Sequence, residues 1–326
     1  MKLAQTVALA GIFAAFSLAT AAQTPSVSDA SGKPIRLILG SPAGGPVDTI
    51  ARILVQGWSE VMGRQIMVDN RAGAAGLIGA DMAAKAPPDG NTLFFGFSGP
   101  LAIVPHLNPN TPYDPVTDFA PISQVATAPY VLLVHPSVPA KSVKGLIALA
   151  KSQPGKMHFS SGGNGVGIHM AGELLKVAAG VDIVHVPYKG AAPGMTALMA
   201  GEVDMMFNGL SSVLPHIKAG RVRALAVGGP KRSPLFPELP TVQESGFKFN
   251  TEGWYGVLGP RGTPQPVVTA QHQMLVRALE TPGVKMAFHK AAVEPAGTTP
   301  QEFATLIRDE GAQWARVIKT AGLRMR

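Results

Sequence analysis

The sequence predicts an α/β protein of two units, each with a mixed, mostly parallel sheet flanked by helices. Short apolar runs alternate with helical patterns along most of the chain, an order typical of parallel sheets with crossover helices. A glycine-rich corner follows an early strand in each half, at residues 41–45 and at residues 160–165. The chain has 326 residues, which is enough for two domains of ordinary size.

Residues 1–22 are predicted to be a secretory signal peptide. Lys2 precedes an apolar run over residues 7–19 and small residues follow it, so we expect cleavage near Ala21 or Ala22. The run is short for a membrane span, and no later segment reaches about 18 uninterrupted apolar residues. We therefore expect an exported, soluble mature protein, with a buried N-terminal helix as the alternative.

The first unit opens with a predicted strand at residues 35–39, a short apolar run bounded by turn residues. A helix is expected next, because apolar residues recur every three or four positions, Pro46 suits the first turn and Gly63 the end. Further strands are predicted at residues 65–69 and 92–97, and a helix at residues 75–86. The three strand-to-helix corners, 41–45, 70–76 and 98–99, should share the sheet edge where ligands bind.

The corner at residues 41–45 leaves helix N–H groups without partners, and two explanations are open. In one, Ser41 or Asp48 caps the turn, while Gly44 and Gly45 only permit positive φ. In the other, the N–H groups and the helix dipole bind a phosphate or carboxylate, with Asp48 folded back as a cap or contacting a ligand ammonium or hydroxyl. The motif matches neither the dinucleotide fingerprint nor the P-loop.

The second unit follows a proline-rich passage at residues 108–121. Its predicted strands are residues 131–134, 157–160, 181–186, 205–207 and 224–227, and its predicted helices are residues 142–151, 167–178 and 193–200. A tail then returns with a strand at residues 255–258, a helix at residues 266–279 and two amphipathic segments ending at Ala321. The corner at residues 160–165 resembles the first corner, so the two suggest two half-sites.

Composition excludes several classes of protein. The chain has no cysteine, which removes disulfides, thiolate metal sites and cysteine nucleophiles. The net charge of +8, or +7 (8 − 1) without Lys2, could concentrate an anionic solute, but the basic residues are scattered and predict no nucleic-acid site. We find no Gly-x-Ser-x-Gly elbow, HExxH motif or histidine cluster, and so predict no enzyme, metal or cofactor.

Several motifs resemble the Bug-type periplasmic solute-binding proteins of tripartite tricarboxylate transport systems. They include PIRLILGSPAGGPVDTIAR, VDNRAGAAGLIGAD, TPYDPVTDFAPIS and HVPYKGAAPGMTALMAGEVDMMF, in this order over essentially the whole mature chain. The resemblance implies a type II-like fold in which residues 31–124 with 228–326 form domain 1 and residues 125–227 form domain 2, with a ligand cleft between them.

The resemblance also implies a function. A small di- or monocarboxylate, aliphatic or aromatic, would be captured by hinge closure in the periplasm and delivered to membrane transporter subunits by a monomer without a cofactor. A periplasmic sensor acting on a sensor kinase is the alternative, and an exported enzyme is a weaker one.

The expected ligand-binding residues lie in both domains. In domain 1 they are Ser41, Pro42, Ala43, Gly44, Gly45, Asp48, Ser98 and Gly99; in domain 2 they are Ser160, Ser161, Gly163, Asn164, Val166, His169, Lys189, Gly190, Ala191 and Asn208. Some have a structural alternative. Ser161 and Asn164 could only form the turn, His169 could only cap its helix or pack against it, and Lys189 could be a solvated surface residue.

The sequence departs from the usual family pattern at two expected site residues. Val166 stands where a hydroxyl residue is common, and Asn208 where Asp is frequent. If Val166 faces the cleft, the pocket has lost a donor and gained apolar surface. We therefore expect a longer aliphatic or an aromatic carboxylate rather than a small hydroxy acid such as citrate.

Overall fold

The protein contains two β-sheets in a computed structural model that describes residues 33–324, apart from the side chain of Ser211. The predicted signal peptide therefore lies outside the described residues. The first sheet contains β1 (Ile35–Leu39), β2 (Ile66–Asn70), β3 (Thr92–Phe97), β4 (Phe119–Ala128), β10 (Gly253–Pro260) and β11 (Glu294–Pro295). The second contains β5 (Tyr130–Val134), β6 (His158–Ser161), β7 (Val184–Pro187), β8 (Met205–Gly209) and β9 (Arg223–Val227).

Helices flank both sheets. In chain order they are α1 (Pro46–Met62), α2 (Leu77–Ala84), α3 (Val104–Leu107), α4 (Val143–Ser152), α5 (Gly167–Ala179), α6 (Ala191–Ala200), α7 (Leu210–Lys218), α8 (Gln265–Leu279), α9 (Pro282–Lys290) and α10 (Pro300–Ala321). None of the helices in the described part of the chain combines the length and apolar character that a membrane span requires.

The two sheets repeat one strand order. The first runs β2-β1-β3-β10-β4 with β11 added at the edge, and the second runs β7-β6-β8-β5-β9. Strands β10 and β11 are antiparallel to the other four strands of the first sheet, and β5 is antiparallel to the other four strands of the second. The predicted pair of mixed, mostly parallel sheets is therefore confirmed, and each half contributes the same kind of sheet edge.

Local signals fix several helix ends. Pro46 occupies the first turn of α1, and Gly63 ends that helix in the left-handed region at φ 63°. Ser142 caps α4 by accepting the Gly145 N–H at 3.1 Å. Thr299 and Glu302 form a reciprocal capping box at the start of α10.

Four elements, α3, β4, α7 and β11, were not predicted, and each contains a proline. Strand β4 begins inside the predicted proline-rich passage, and Pro121 is tolerated there because it lies next to an irregularity in the pairing with β10. Helix α7 contains Pro215 in its interior, where proline removes a helical hydrogen bond and so weakens the sequence signal. The predicted helix at residues 75–86 is also shorter, because a 3-10 turn at Ala74–Gly76 precedes α2.

The chain passes between the sheets at Pro129 and again between β9 and β10. The predicted domain limit at residue 124 falls inside β4, while the predicted return at residue 228 directly follows β9. Helix α10 packs against both sheets. Phe303 packs with the buried residues of the first sheet's outer face, and Trp314 packs in the core of the second sheet.

The contact between α5 and β6 leaves no room at Gly172. A Cβ there would lie 2.2 Å from the Phe159 ring, so we expect Gly172→Ala to lower the free energy of unfolding by about 1–3 kcal/mol. Gly283 in α9 is the matched helical glycine, since no atom lies within 4 Å of its built Cβ. Gly283→Ala should raise stability by about 0.5 kcal/mol through helix propensity. Urea unfolding of both variants measures the difference, and equal effects would contradict this packing account.

Candidate functional site

A cavity of about 840 Å³ lies where the carboxyl ends of the parallel strands of both sheets meet. The loops after β1, β2 and β3 form one side, and the loops after β6, β7 and β8 form the other. The first-sheet lining is Gly40, Ser41, Pro42, Gly44, Pro46, Val47, Thr49, Ile50, Gly73, Ala75, Gly76, Phe97, Ser98, Gly99, Ala128, Gly253, Trp254, Tyr255, Ala291 and Val293. The second-sheet lining is Tyr130, Gly162, Gly165, Val166, Gly167, Ile168, Gly190, Ala191, Asn208, Gly209 and Ser212.

Several helices begin at this cavity. The first turns of α1, α5 and α6 contribute Val47, Ile168 and Ala191 to its wall. The N–H groups of these three residues have no hydrogen-bond partner within residues 33–324. Because a helix N-terminus carries a partial positive charge, the converging ends favour an anion.

The lining residues are uncharged. None of the described side chains that face the cavity belongs to Asp, Glu, Lys, Arg or His. Ser41 is 7% exposed, and its Oγ has no hydrogen-bond partner among the described residues. A buried hydroxyl without a partner is uncommon in folded proteins, and Ser41 is one of the residues that line the cavity.

Asp48 stabilises the loop after β1 but does not line the cavity. Its Oδ2 accepts the Gly44 N–H and the Arg52 Nε–H, each at 2.9 Å, and its Oδ1 accepts from Asn70 Nδ2 at 3.0 Å. Asn70 also donates to the Ser41 carbonyl at 3.1 Å. The Arg52 hydrogen bond is the main cause that lowers the pKa of Asp48. The carboxylate thus folds back onto its loop as a cap, which is the first of the two roles that the sequence leaves open for Asp48.

Two histidines hold the loop after β6. His169 Nδ1 accepts the Gly165 N–H at 3.1 Å, so its ring proton lies on Nε2, which is 3.8 Å from Glu173 Oε1. His185 Nε2 lies 2.6 Å from Ser161 Oγ, which accepts the Gly163 N–H at 3.1 Å. The two imidazole rings pack with centroids 4.0 Å apart. These bonds fix the backbone that forms the cavity wall.

The sequence matches the profile described as "Tripartite tricarboxylate transporter family receptor" over residues 50–323. The chain belongs to this family. The resemblance to Bug-type proteins stated from the sequence is thereby confirmed, since the periplasmic binding protein BugD has a similar structure. BugD is 32% identical with a TM-score of 0.75, and the match covers 90% of this chain and 99% of that one.

Two related structures contain a ligand. A structure from R. palustris with adipate is 35% identical, has a TM-score of 0.78, and is matched over 89% of this chain and 98% of that one. MatC from Rhodopseudomonas palustris with bound malate is 29% identical, has a TM-score of 0.74, and is matched over 87% of this chain and 98% of that one.

The receptor places half of the predicted site residues on the cavity wall. They are Ser41, Pro42, Gly44, Ser98, Gly99, Val166, Gly190, Ala191 and Asn208. The others are not part of the lining: Ala43, Gly45, Asp48, Ser160, Ser161, Gly163, Asn164, His169 and Lys189. Ser160 is fully buried, with Oγ donating to the Gly194 carbonyl at 3.0 Å, and Lys189 is exposed.

Several wall residues were absent from the predicted set. Gly73 and Gly76 come from the corner after β2, one of the three corners predicted to share the ligand-binding edge of the sheet. Trp254 and Tyr255 also line the cavity, although large aromatic side chains are more often core residues than pocket residues. Val47 and Ile50 carry the helical periodicity of α1, and nothing in that periodicity separates a core face from a cavity wall.

The buried imidazoles make the stability of the receptor depend on pH. Burial is the main cause that lowers the pKa of His169 to about 3 and of His185 to about 4. The unfolded chain, with histidine pKa near 6.5, therefore binds more protons, so the unfolding free energy falls as pH drops below about 6.5. Glu173, whose pKa is raised by burial, partly offsets this loss.

We expect His169→Gln to lose less stability than the wild type between pH 7 and pH 5, by on the order of 2 kcal/mol. Glutamine can still accept the Gly165 N–H, but it does not titrate. Urea unfolding at both pH values measures the difference, and His289→Gln, at an exposed position of α9, is the control. Equal pH slopes for His169→Gln and the wild type would show that His169 does not contribute to the acid sensitivity.

Proposed function

We propose that this receptor captures a small carboxylate between its two sheets in the periplasm and delivers it to a tripartite tricarboxylate-type membrane transporter. The observation that supports this most directly is the set of unpaired N–H groups, those of Val47, Ile168 and Ala191, at an uncharged cavity. Adipate and malate in two related structures support the same class of ligand. The proposal assigns no reaction, metal or cofactor to the site.

Backbone donors suit the capture and release of an anion. A carboxylate that enters the cavity loses water, and several N–H groups together with the Ser41 hydroxyl can replace those hydrogen bonds. A buried lysine or arginine would add a strong charge pair, but it would remain unpaired and costly whenever the empty cavity closed. Neutral donors avoid that cost, so the empty receptor can close and reopen.

Capture takes place by hinge closure in this proposal. We assign residues 31–124 with 228–326 to one domain and residues 125–227 to the other, and the passage of the chain between the sheets at Pro129 supports a first hinge close to that limit. A ligand held by loops of both sheets binds the closed form better than the open form and so shifts the population towards it. The closed form is then recognised by the membrane subunits. Export follows from the predicted signal peptide.

The first test is a thermal-shift panel on the exported protein, unfolded and refolded once to remove bound solute. Mono-, di- and tricarboxylates are compared with the amides of the same carbon skeletons, which keep the shape but not the charge. A carboxylate at about 100 times its Kd should stabilise the receptor by about 2.7 kcal/mol, a shift of a few degrees in Tm. Equal shifts with an acid and its amide, or no shift with any acid, would overturn carboxylate capture.

Ser41→Ala should weaken binding of the acid found in the panel about three- to tenfold, because one hydrogen bond is lost. It should leave the unfolding free energy of the empty protein unchanged or slightly higher, since the hydroxyl has no partner there. Ser160→Ala is the matched comparison. It removes the bond to the Gly194 carbonyl and should cost stability by about 1 kcal/mol, with little effect on affinity. Calorimetric titration and urea unfolding separate the two results, and the reverse pattern would place Ser160 rather than Ser41 at the solute.

A further inference from the structure

Five apolar or aromatic residues of the first domain that line the cavity are here called the tail pocket: Val47, Ile50, Tyr255, Ala291 and Val293. Ile50 and Val293 are buried members of the hydrophobic cluster between the first sheet and α1, and Val47, Tyr255 and Ala291 are partly buried and pack against it. Ile50 and Val293 are only 4% and 5% exposed, so this part of the cavity wall is continuous with the core. Tyr255 is the only one of the five whose side chain contains a polar atom.

Local structure keeps these side chains at the cavity. Val47 and Ile50 are three residues apart on α1 and therefore lie on one face of the helix. Ala292 has a φ of 50°, and this turn between α9 and β11 places Ala291 and Val293 side by side at the wall. The Val293 N–H donates to the Phe288 carbonyl at 3.0 Å, and the Tyr255 ring stacks on Phe95 with centroids 5.9 Å apart.

The tail pocket is directly connected to the anion-binding end of α1. The backbone N–H of Val47 is one of the unpaired donors, whereas the side chain of the same residue lines the tail pocket. Ile50 follows within one turn, a rise of about 5 Å. A carboxylate held at the start of α1 therefore directs the rest of its carbon chain towards an apolar wall.

A second charged group has no place in this pocket. None of its five side chains is charged, and the buried Tyr255 hydroxyl, whose pKa is raised to about 12 by burial, stays neutral. A carboxylate there would lose its water without gaining a partner of opposite charge. On the facing side Val166 and Ile168 add further apolar surface.

We infer that the solute carries a single carboxylate on an uncharged, apolar body whose far end occupies the tail pocket. This inference rests on the proposed function and specifies the class of solute within it. Straight-chain monocarboxylates are then better ligands than dicarboxylates of equal length. Each added methylene that enters the pocket should tighten binding about fourfold, until the pocket is filled.

The experiment is calorimetric titration of the full mature receptor, stripped of solute, with butyrate, hexanoate and octanoate and with the length-matched diacids adipate and suberate. We expect Kd to fall along the monocarboxylate series, and hexanoate to bind at least tenfold more tightly than adipate.

Val47→Thr tests the pocket directly, because threonine has nearly the shape of valine but introduces a hydroxyl. It should weaken octanoate about fivefold and butyrate much less. Val55→Thr is the matched control. Val55 lies on the same helix and packs on the same cluster but does not line the cavity, so this change should leave every affinity as in the wild type.

The outcomes separate this inference from the proposed function. Tighter binding of adipate than of hexanoate, or a flat monocarboxylate series, would overturn the tail-pocket assignment while leaving carboxylate capture intact. Equal losses in the Val47 and Val55 variants would also overturn it, since they would report only a change in packing. Failure of every acid to bind folded, stripped receptor would contradict carboxylate capture itself.

Discussion

A helix that begins directly after a buried strand cannot satisfy its first N–H groups within itself, and this constraint governs the whole site. The receptor repeats the situation in both sheets, because each has the same order of parallel strands with helices starting at their carboxyl ends. The corners meet at one cavity, where unpaired donors and helix dipoles accumulate. A small, acceptor-rich anion is the kind of group that such a surface can bind without any charged side chain.

Asp48, His169 and His185 stabilise the backbone of the loops around the site, and none of the three lines the cavity. Asp48 accepts a hydrogen bond from the Gly44 N–H, and His169 accepts one from the Gly165 N–H. Each of these bonds uses one amide of a glycine-rich loop and leaves neighbouring amides free to face the cavity. The loops are thus fixed by side chains, although the cavity wall itself is uncharged and largely apolar. Preorganised dipoles of this kind need little rearrangement when a solute enters.

The fold could be predicted largely from sequence, because local signals and tertiary structure agree over most of it. Strand β3 has the predicted limits at Thr92 and Phe97. Strand β4 and helix α7 were missed because Pro121 and Pro215 are tolerated by an irregular pairing and by a short helix, which local rules do not anticipate.

The site was predicted less completely. Its loops could be found because glycine-rich corners mark close approach of the backbone. However, a sequence pattern does not show whether a residue such as Asp48 or His169 faces the cavity or supports it. Similarly, an apolar residue such as Ile50 has the same periodicity whether it packs in the core or lines a pocket.

The segments that connect the two sheets also form part of the cavity wall, and this links binding to closure. Tyr130 begins β5 directly after the first passage, and Trp254 and Tyr255 stand at the start of β10 after the second. The Trp254 indole N–H donates to Glu310 on α10, and Glu310 also accepts from the Trp314 indole at 2.9 Å, within the core of the second sheet. A rotation of one sheet against the other would therefore move residues that line the cavity. In the proposed mechanism, a solute that packs against these residues stabilises one hinge geometry directly, and its contacts contribute to the preference for the closed state.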